Sequence, residues 1–124
     1  MCAGCGSRAG LGYNKILHPI DGVSVAARTA EKFSRFDRLI LVCRPEDEDA
    51  LKNAIARPDA EYVAGGKTRT ESVRNALNAI RHTDIVIIQD GARPFTDEST
   101  VDASIASALK YGSGIAAVNP TSAL

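Results

Sequence analysis

A chain of 124 residues with fifteen basic and fifteen acidic side chains carries no net charge, which excludes the basic footprint of a nucleic-acid binder and any strong pull toward an anionic membrane. Apolar residues make up 44% and charged residues 24%, the mix of one ordinary soluble domain. No apolar run approaches the roughly 20 residues of a bilayer span, no signal-peptide pattern opens the chain, and three cysteines are too few for a disulfide framework, so a reducing, cytoplasmic setting is expected.

Residues 1–12 form a glycine-rich stretch with Gly4, Gly6, Gly10 and Gly12. Glycines let backbone N–H groups approach an anion closely, but the pattern is neither the P-loop nor the dinucleotide fingerprint. Arg8 and Lys15 flank it, either as two cations beside a phosphate cradle or as two solvated charges. Cys2 and Cys5 make a C-x-x-C with no second ligand pair at zinc spacing, so a redox or metal domain built on Cys2, Cys5 and Cys43 is a remote reading. A phosphate loop in an α/β protein is fed by a buried strand, and none precedes Met1. The expectation is that these residues are part of a longer protein, inactive on their own.

Val23, Ala26, Ala27, Ala30 and Phe33 recur at helical spacing and predict a first helix. Leu39–Cys43 reads as an apolar strand ended by Arg44-Pro45. Glu46 to Ala56 reads as a helix with Ala50, Leu51, Ala54 and Ile55 inward, its acids in the first turn suiting the helix dipole. A short strand from Tyr62 to Ala64 enters Gly65-Gly66. Thr68 or Thr70 can cap the next helix, Thr68 and Glu71 having the spacing of a capping box, and Val73, Ala76, Leu77 and Ile80 follow as a core stripe. Ser72 in the first turn is either a local cap or a ligand contact.

The most informative stretch runs from Asp84 to Phe95. Ile85–Ile88 is a β-branched run that predicts a strand buried on both faces, ended by Gln89-Asp90-Gly91. Ligands of open α/β sheets bind at the carboxyl ends of strands. A carboxylate there can hold Mg²⁺ with phosphate oxygens as co-ligands, or Asp90 can simply start a turn. A helix from about Asp97 to Tyr111, with Val101, Ile105, Ala108 and Leu109 inward, and a strand from Ile115 to Val118 complete the pattern. Alternating helices and strands imply a doubly wound, mostly parallel sheet in one domain across 1–124, lacking its first strand and C-terminal part.

Three stretches together resemble one family, the 2-C-methyl-D-erythritol 4-phosphate cytidylyltransferases. Cys2-Ala3-Gly4-Cys5-Gly6-Ser7-Arg8 followed by Lys15 is similar to the family's Ala-Ala-Gly-x-Gly-x-Arg and Lys. Gly65-Gly66-x-x-Arg69-x-x-Ser72-Val73 and Asp90-Gly91-Ala92-Arg93-Pro94-Phe95 match its next two motifs in order and spacing. The resemblance implies a nucleotidyltransferase (Rossmann-like) fold, residues 1–124 being the CTP-binding part. It places the CTP phosphates on Ala3, Gly4 and Gly6, with Arg8 and Lys15 as the catalytic charge-stabilising pair. Gly66, Lys67 and Ser72 would line the cytosine pocket, Gly91 would lie near the ribose, and Asp90 would be associated with Mg²⁺. The partners it implies are CTP, a polyol phosphate and a second copy in a homodimer, with no nucleic acid and no membrane.

The chain departs from the family pattern at Cys2, a small-for-small change from alanine, and near Val118, where Asn-Pro-Thr-Ser stands in place of an Asp-Thr pair and leaves the roles of Thr121 and Ser122 open. His18 and His82 have no motif partner and read as incidental. The rival readings are a cytidylyltransferase for another polyol phosphate, such as ribitol 5-phosphate, and an inactive nucleotide-binding fragment.

Overall fold

The computed structural model describes residues 1–4 and 12–117. A 3₁₀ turn at Lys15–Leu17 leads into a hairpin of β1 (Pro19–Ile20) and β2 (Val23–Ser24), paired antiparallel with Ile20 opposite Val23. Asp21 and Gly22 between them both have positive φ, 49° and 77°, the two-residue turn whose twist matches paired strands. Ser24 then caps α1 (Val25–Glu31), its hydroxyl accepting from the Ala27 N–H at 3.1 Å and satisfying one of the orphan donors of the first turn. The predicted helix therefore starts two residues late, and Val23 lies in the exposed hairpin.

β3 (Ile40–Cys43) is buried at its last three residues and pairs in parallel with β4 (Glu61–Ala64), Leu41 opposite Tyr62 and Cys43 opposite Ala64. The crossover between them is a 3₁₀ turn at Pro45–Asp47 and α2 (Glu48–Ala54). Proline cannot extend the strand but fits the first turn of a helix. Leu51 of α2 is fully buried, and with Cys2, Ile16, Ala26, Ala30, Leu41, Cys43 and Ile55 it forms the core. Ala50, expected inward, faces solvent.

α3 (Arg69–Ala79) opens with the predicted capping box, Thr68 accepting from the Glu71 N–H while the Glu71 carboxylate accepts from Thr68. α4 (Glu98–Tyr111) is capped by the Asp97 carboxylate on the Thr100 N–H at 2.8 Å and ends at Gly112 with φ 83°, the left-handed closure that favours glycine. Val101 is buried as expected, whereas Leu109 is exposed.

Two predicted strands are not formed among the described residues. Ile85–Ile88 pairs with no strand among the described residues, and Val86, Ile87 and Ile88 are exposed. A β-branched run favours extended backbone, but a strand exists only against a neighbour. Here pairing reaches only the end of the run: the Met1 amino group donates to Gln89 O at 2.8 Å and Gly91 N–H to Met1 O at 2.9 Å. On its other side Cys2 N–H donates to Val42 O at 2.7 Å. Residues 1 and 2 thus bridge β3 and the segment 89–91. Beside them a cavity of about 460 Å³ is lined by Leu39, Leu41, Val73, Leu77, Ile85 and Ile87, so Leu77 covers less core than its helical spacing suggested. Ile115 is likewise exposed and unpaired, and Val118 lies outside the described residues.

Candidate active site

The stretches singled out in the sequence come together around Cys2 and Ala3. A Cβ added at Gly65 would sit 2.5 Å from Ala3 Cβ, and one added at Gly91 would sit 2.6 Å from Cys2 Sγ and 3.1 Å from Met1 O. Real side chains do not approach so closely, so glycine at both positions is what lets the three backbones converge. The Thr29 hydroxyl of α1 reaches Gly91 O at 3.0 Å and ties the third stretch to the first helix. Gly4 and Gly12, beyond this junction, have open space around them. Cys5, Gly6 and Arg8 lie outside the described residues.

The turn after β4 is held from within. Gly66 N–H donates to Ser72 Oγ at 2.9 Å, and Lys67 and Thr68 N–H donate to Glu71 Oε2 at 2.7 and 3.3 Å. Ser72 is buried and Glu71 exposed. The Ser72 hydroxyl therefore sets the shape of the Gly65-Gly66 turn, and any ligand contact to Lys67 N–H has to displace the Glu71 carboxylate. The helix cap weighed for Ser72 falls to Thr68, and the Ser72 hydroxyl braces the glycine turn instead.

Asp90 is half-buried between two guanidinium groups. Arg69 Nη1 lies 3.2 Å from Oδ1 and Arg93 Nε lies 3.1 Å from Oδ2. The two arginines belong to the second and third stretches, so one carboxylate links both. Among the described residues no group of three or more His, Cys, Asp or Glu side chains could enclose a cation. Magnesium does not need such a cage, since one or two carboxylates, waters and substrate phosphates complete its octahedron. Asp90, partly open to solvent at the junction and paired with Arg69 and Arg93, fits that mode as a single carboxylate ligand.

Lys15 stands exposed at the start of the 3₁₀ turn, directly after Asn14, which is 1% exposed and caps that turn. Neither Asn14 nor its partner Asp47 was anticipated. The signals were present, since an Asn before a helical turn is a capping residue and an Arg-Pro-x-Asp run after a strand places an acid in the first turn, but neither points to the glycine-rich stretch. Both described cysteines, Cys2 and Cys43, are buried free thiols. Burial raises the Cys2 pKa and pushes that of Cys43 up to about 11. Enclosed and held protonated, both thiols pack as core groups rather than standing as exposed nucleophiles.

Comparison with known proteins identifies the family. A family model described as 2-C-methyl-D-erythritol 4-phosphate cytidylyltransferase matches residues 1–124. A protein of that name from Clostridium acetobutylicum is 35% identical over 128 residues, covering 97% of this chain and 56% of the relative. The bifunctional enzyme IspD/IspF of Rhodobacter capsulatus is 39% identical over 118 residues, 94% of this chain and 31% of the relative. Among solved structures, 4-diphosphocytidyl-2C-methyl-D-erythritol synthase from Anaerococcus prevotii DSM 20548 superposes with a TM-score of 0.72 at 30% identity, over 89% of this chain and 48% of that one. The chain spans about half the length of the first two single-function relatives it matches.

Proposed function

Because the chain belongs to the 2-C-methyl-D-erythritol 4-phosphate cytidylyltransferase family, we propose that its protein transfers the cytidylyl group of CTP to 2-C-methyl-D-erythritol 4-phosphate. The products are the CDP-alcohol and pyrophosphate, a step in making isoprenoid precursors. The observation that carries this reading is the convergence of Ala3 on Gly65 and of Cys2 on Gly91, which brings the three motif stretches together around one point.

In the reaction an oxygen of the acceptor phosphate attacks the α-phosphorus in line, and the bond from that phosphorus to the β-phosphate oxygen breaks. No protein nucleophile is required. The protein's task is to hold the two anions in line and to neutralise the charge that builds on the transferring group. Backbone N–H groups of Ala3, Gly4 and Gly6 would cradle the triphosphate, and the Arg8 and Lys15 cations would stabilise the α-phosphoryl oxygens. Gly66, Lys67 and the Ser72-braced turn would receive the cytosine, with Gly91 near the ribose. Asp90 would hold Mg²⁺, whose chemistry when bound is to neutralise phosphate charge and orient the leaving pyrophosphate. We read the working protein as a cytoplasmic homodimer with no nucleic-acid or membrane partner.

The test is product identification. The full-length protein is incubated with CTP, Mg²⁺ and, separately, 2-C-methyl-D-erythritol 4-phosphate or ribitol 5-phosphate. CDP-methylerythritol as the main product supports the reading, and CDP-ribitol as the main product moves the protein to another acceptor.

A further inference from the structure

Cys2, near the start of the glycine-rich stretch, and Asn14, just past its end, are linked to each other and through Asn14 to one buried carboxylate. The Asn14 side-chain amide donates to Cys2 O at 3.1 Å and to Asp47 Oδ2 at 2.8 Å, and its oxygen lies 3.4 Å from the Ile16 N–H that it accepts. Asp47, 6% exposed, is gripped by Arg44, Nε to Oδ2 at 2.9 Å and Nη2 to Oδ1 at 3.1 Å. That two-point contact fixes the carboxylate plane as well as its place. Both Arg44 and Asp47 lie at the exit of β3, the same strand whose Val42 carbonyl receives Cys2 N–H.

The chemistry of this group goes beyond filling a core. Both hydrogens of the Asn14 amide are used, one on each acceptor, so its orientation has a single solution. Exchanging Asn for Asp would set two carboxylates against each other. Lys15 is the next residue, and its backbone begins the turn that Asn14 caps. Through Asn14, Asp47 therefore holds both the Cys2 carbonyl and the start of the turn that carries Lys15.

We propose that Asp47 is a positioning residue for cytidylyl transfer: through Asn14 it sets the distance between the loop backbone at Cys2 and the Lys15 ammonium. This rests on the proposed function and adds to it two residues, Asn14 and Asp47, that touch neither substrate. Small displacements of a charge-stabilising group cost orders of magnitude in rate, so the effect of losing the tie falls on Lys15 first.

The experiment compares Asp47→Ala, Asp47→Asn, Lys15→Ala and Asp47→Ala/Lys15→Ala in the full-length protein, by steady-state kinetics and by amide hydrogen exchange without substrate. Asp47→Ala is expected to lower kcat at least tenfold, and Asp47→Asn, which keeps an acceptor for Asn14, to recover most of it. In the Lys15→Ala background the Asp47→Ala change should cost less than threefold, because the group it positions is already gone. Exchange should rise at residues 1–4 and 12–17 and stay unchanged in α4. Equal losses from Asp47→Ala with and without Lys15, or exchange rising throughout the chain, would overturn the proposal. If the parent chain transfers no cytidylyl group, the function reading fails and the exchange pattern alone decides whether Asp47 holds the two ends.

Discussion

Arg69 and Asp90 form an ion pair, Nη1 to Oδ1 at 3.2 Å, that joins the helix after the Gly65-Gly66 turn to the stretch where the metal carboxylate is expected. Arg69 is 60% exposed along its side chain, and exposed pairs contribute little to folding because solvent screens them. Arg69→Ala should therefore change the unfolding free energy by less than about 1 kcal/mol, read by urea denaturation. Asp90→Asn should raise the Mg²⁺ concentration needed for half-maximal turnover. A Mg²⁺ titration unchanged by Asp90→Asn would remove Asp90 from the metal site.

Gly65 meets Ala3 so closely that a single methyl group is decisive. Gly65→Ala should destabilise the protein by about 1–3 kcal/mol, the scale of overpacking, and weaken CTP binding. Because the clash is with Ala3 Cβ, adding Ala3→Gly should restore part of both losses. Calorimetry of CTP binding to the single and double variants checks this. No recovery in the double variant would mean that the turn conformation, rather than the contact, requires glycine.

These two relationships also mark how far the sequence could be read. The crossover from β3 to β4, the Thr68–Glu71 capping box and the Asp97 cap follow from local rules, and local rules hold wherever the partners are a few residues apart. The three glycine-bearing stretches were legible as motifs, and only the family resemblance assigned them to one site. Ile85–Ile88 and Ile115 failed for the opposite reason, since a strand's existence depends on a neighbour distant in sequence. The Asp21-Gly22 hairpin was a readable turn signal obscured by the helical spacing counted from Val23. Asn14 and Asp47 are separated by 33 positions, and no periodicity connects a cap to a carboxylate so far away.

Ser72 accepts from Gly66 N–H in a buried setting, so Ser72→Ala leaves that donor without its partner. CTP binding should weaken by about 1–2 kcal/mol, the cost of one lost buried hydrogen bond. A turn braced in this way leaves little room for a purine, and ATP should turn over far more slowly than CTP. Competition assays with both nucleotides test this, and equal use of ATP and CTP would contradict the assignment of the turn to the base.

Arg8 and Lys15 are proposed to act on charge that grows in the transition state. Replacing either by Ala should lower kcat more than it raises KM, by about 100-fold or more for a contact of this kind. A Lys15→Ala variant with kcat within about twofold of the parent would reassign its role.

The two buried thiols predict an alkaline limit to stability. Burial holds Cys43 protonated up to about pH 11, whereas the unfolded chain releases that proton near the ordinary thiol value. Between those two values the folded state binds more protons than the unfolded state, so stability falls as pH rises through that window. Unfolding free energies should decline from about pH 9 to 11 in the parent, and the slope should flatten in Cys43→Ala. A parent curve that rises with pH over that interval would show that the thiol is not held neutral.

The central claim is that three stretches far apart in sequence form one CTP site. At 13.1 kDa the chain suits a two-dimensional ¹⁵N–¹H titration with CTP and Mg²⁺. The account predicts saturable shifts at the amides of Ala3 and Gly4, of Gly65 to Ser72 and of Asp90 to Arg93 together, with one shared binding constant, while the hairpin at Pro19–Ser24 and the outer face of α4 stay still. Shifts confined to one stretch, or titrating with different constants, would contradict it.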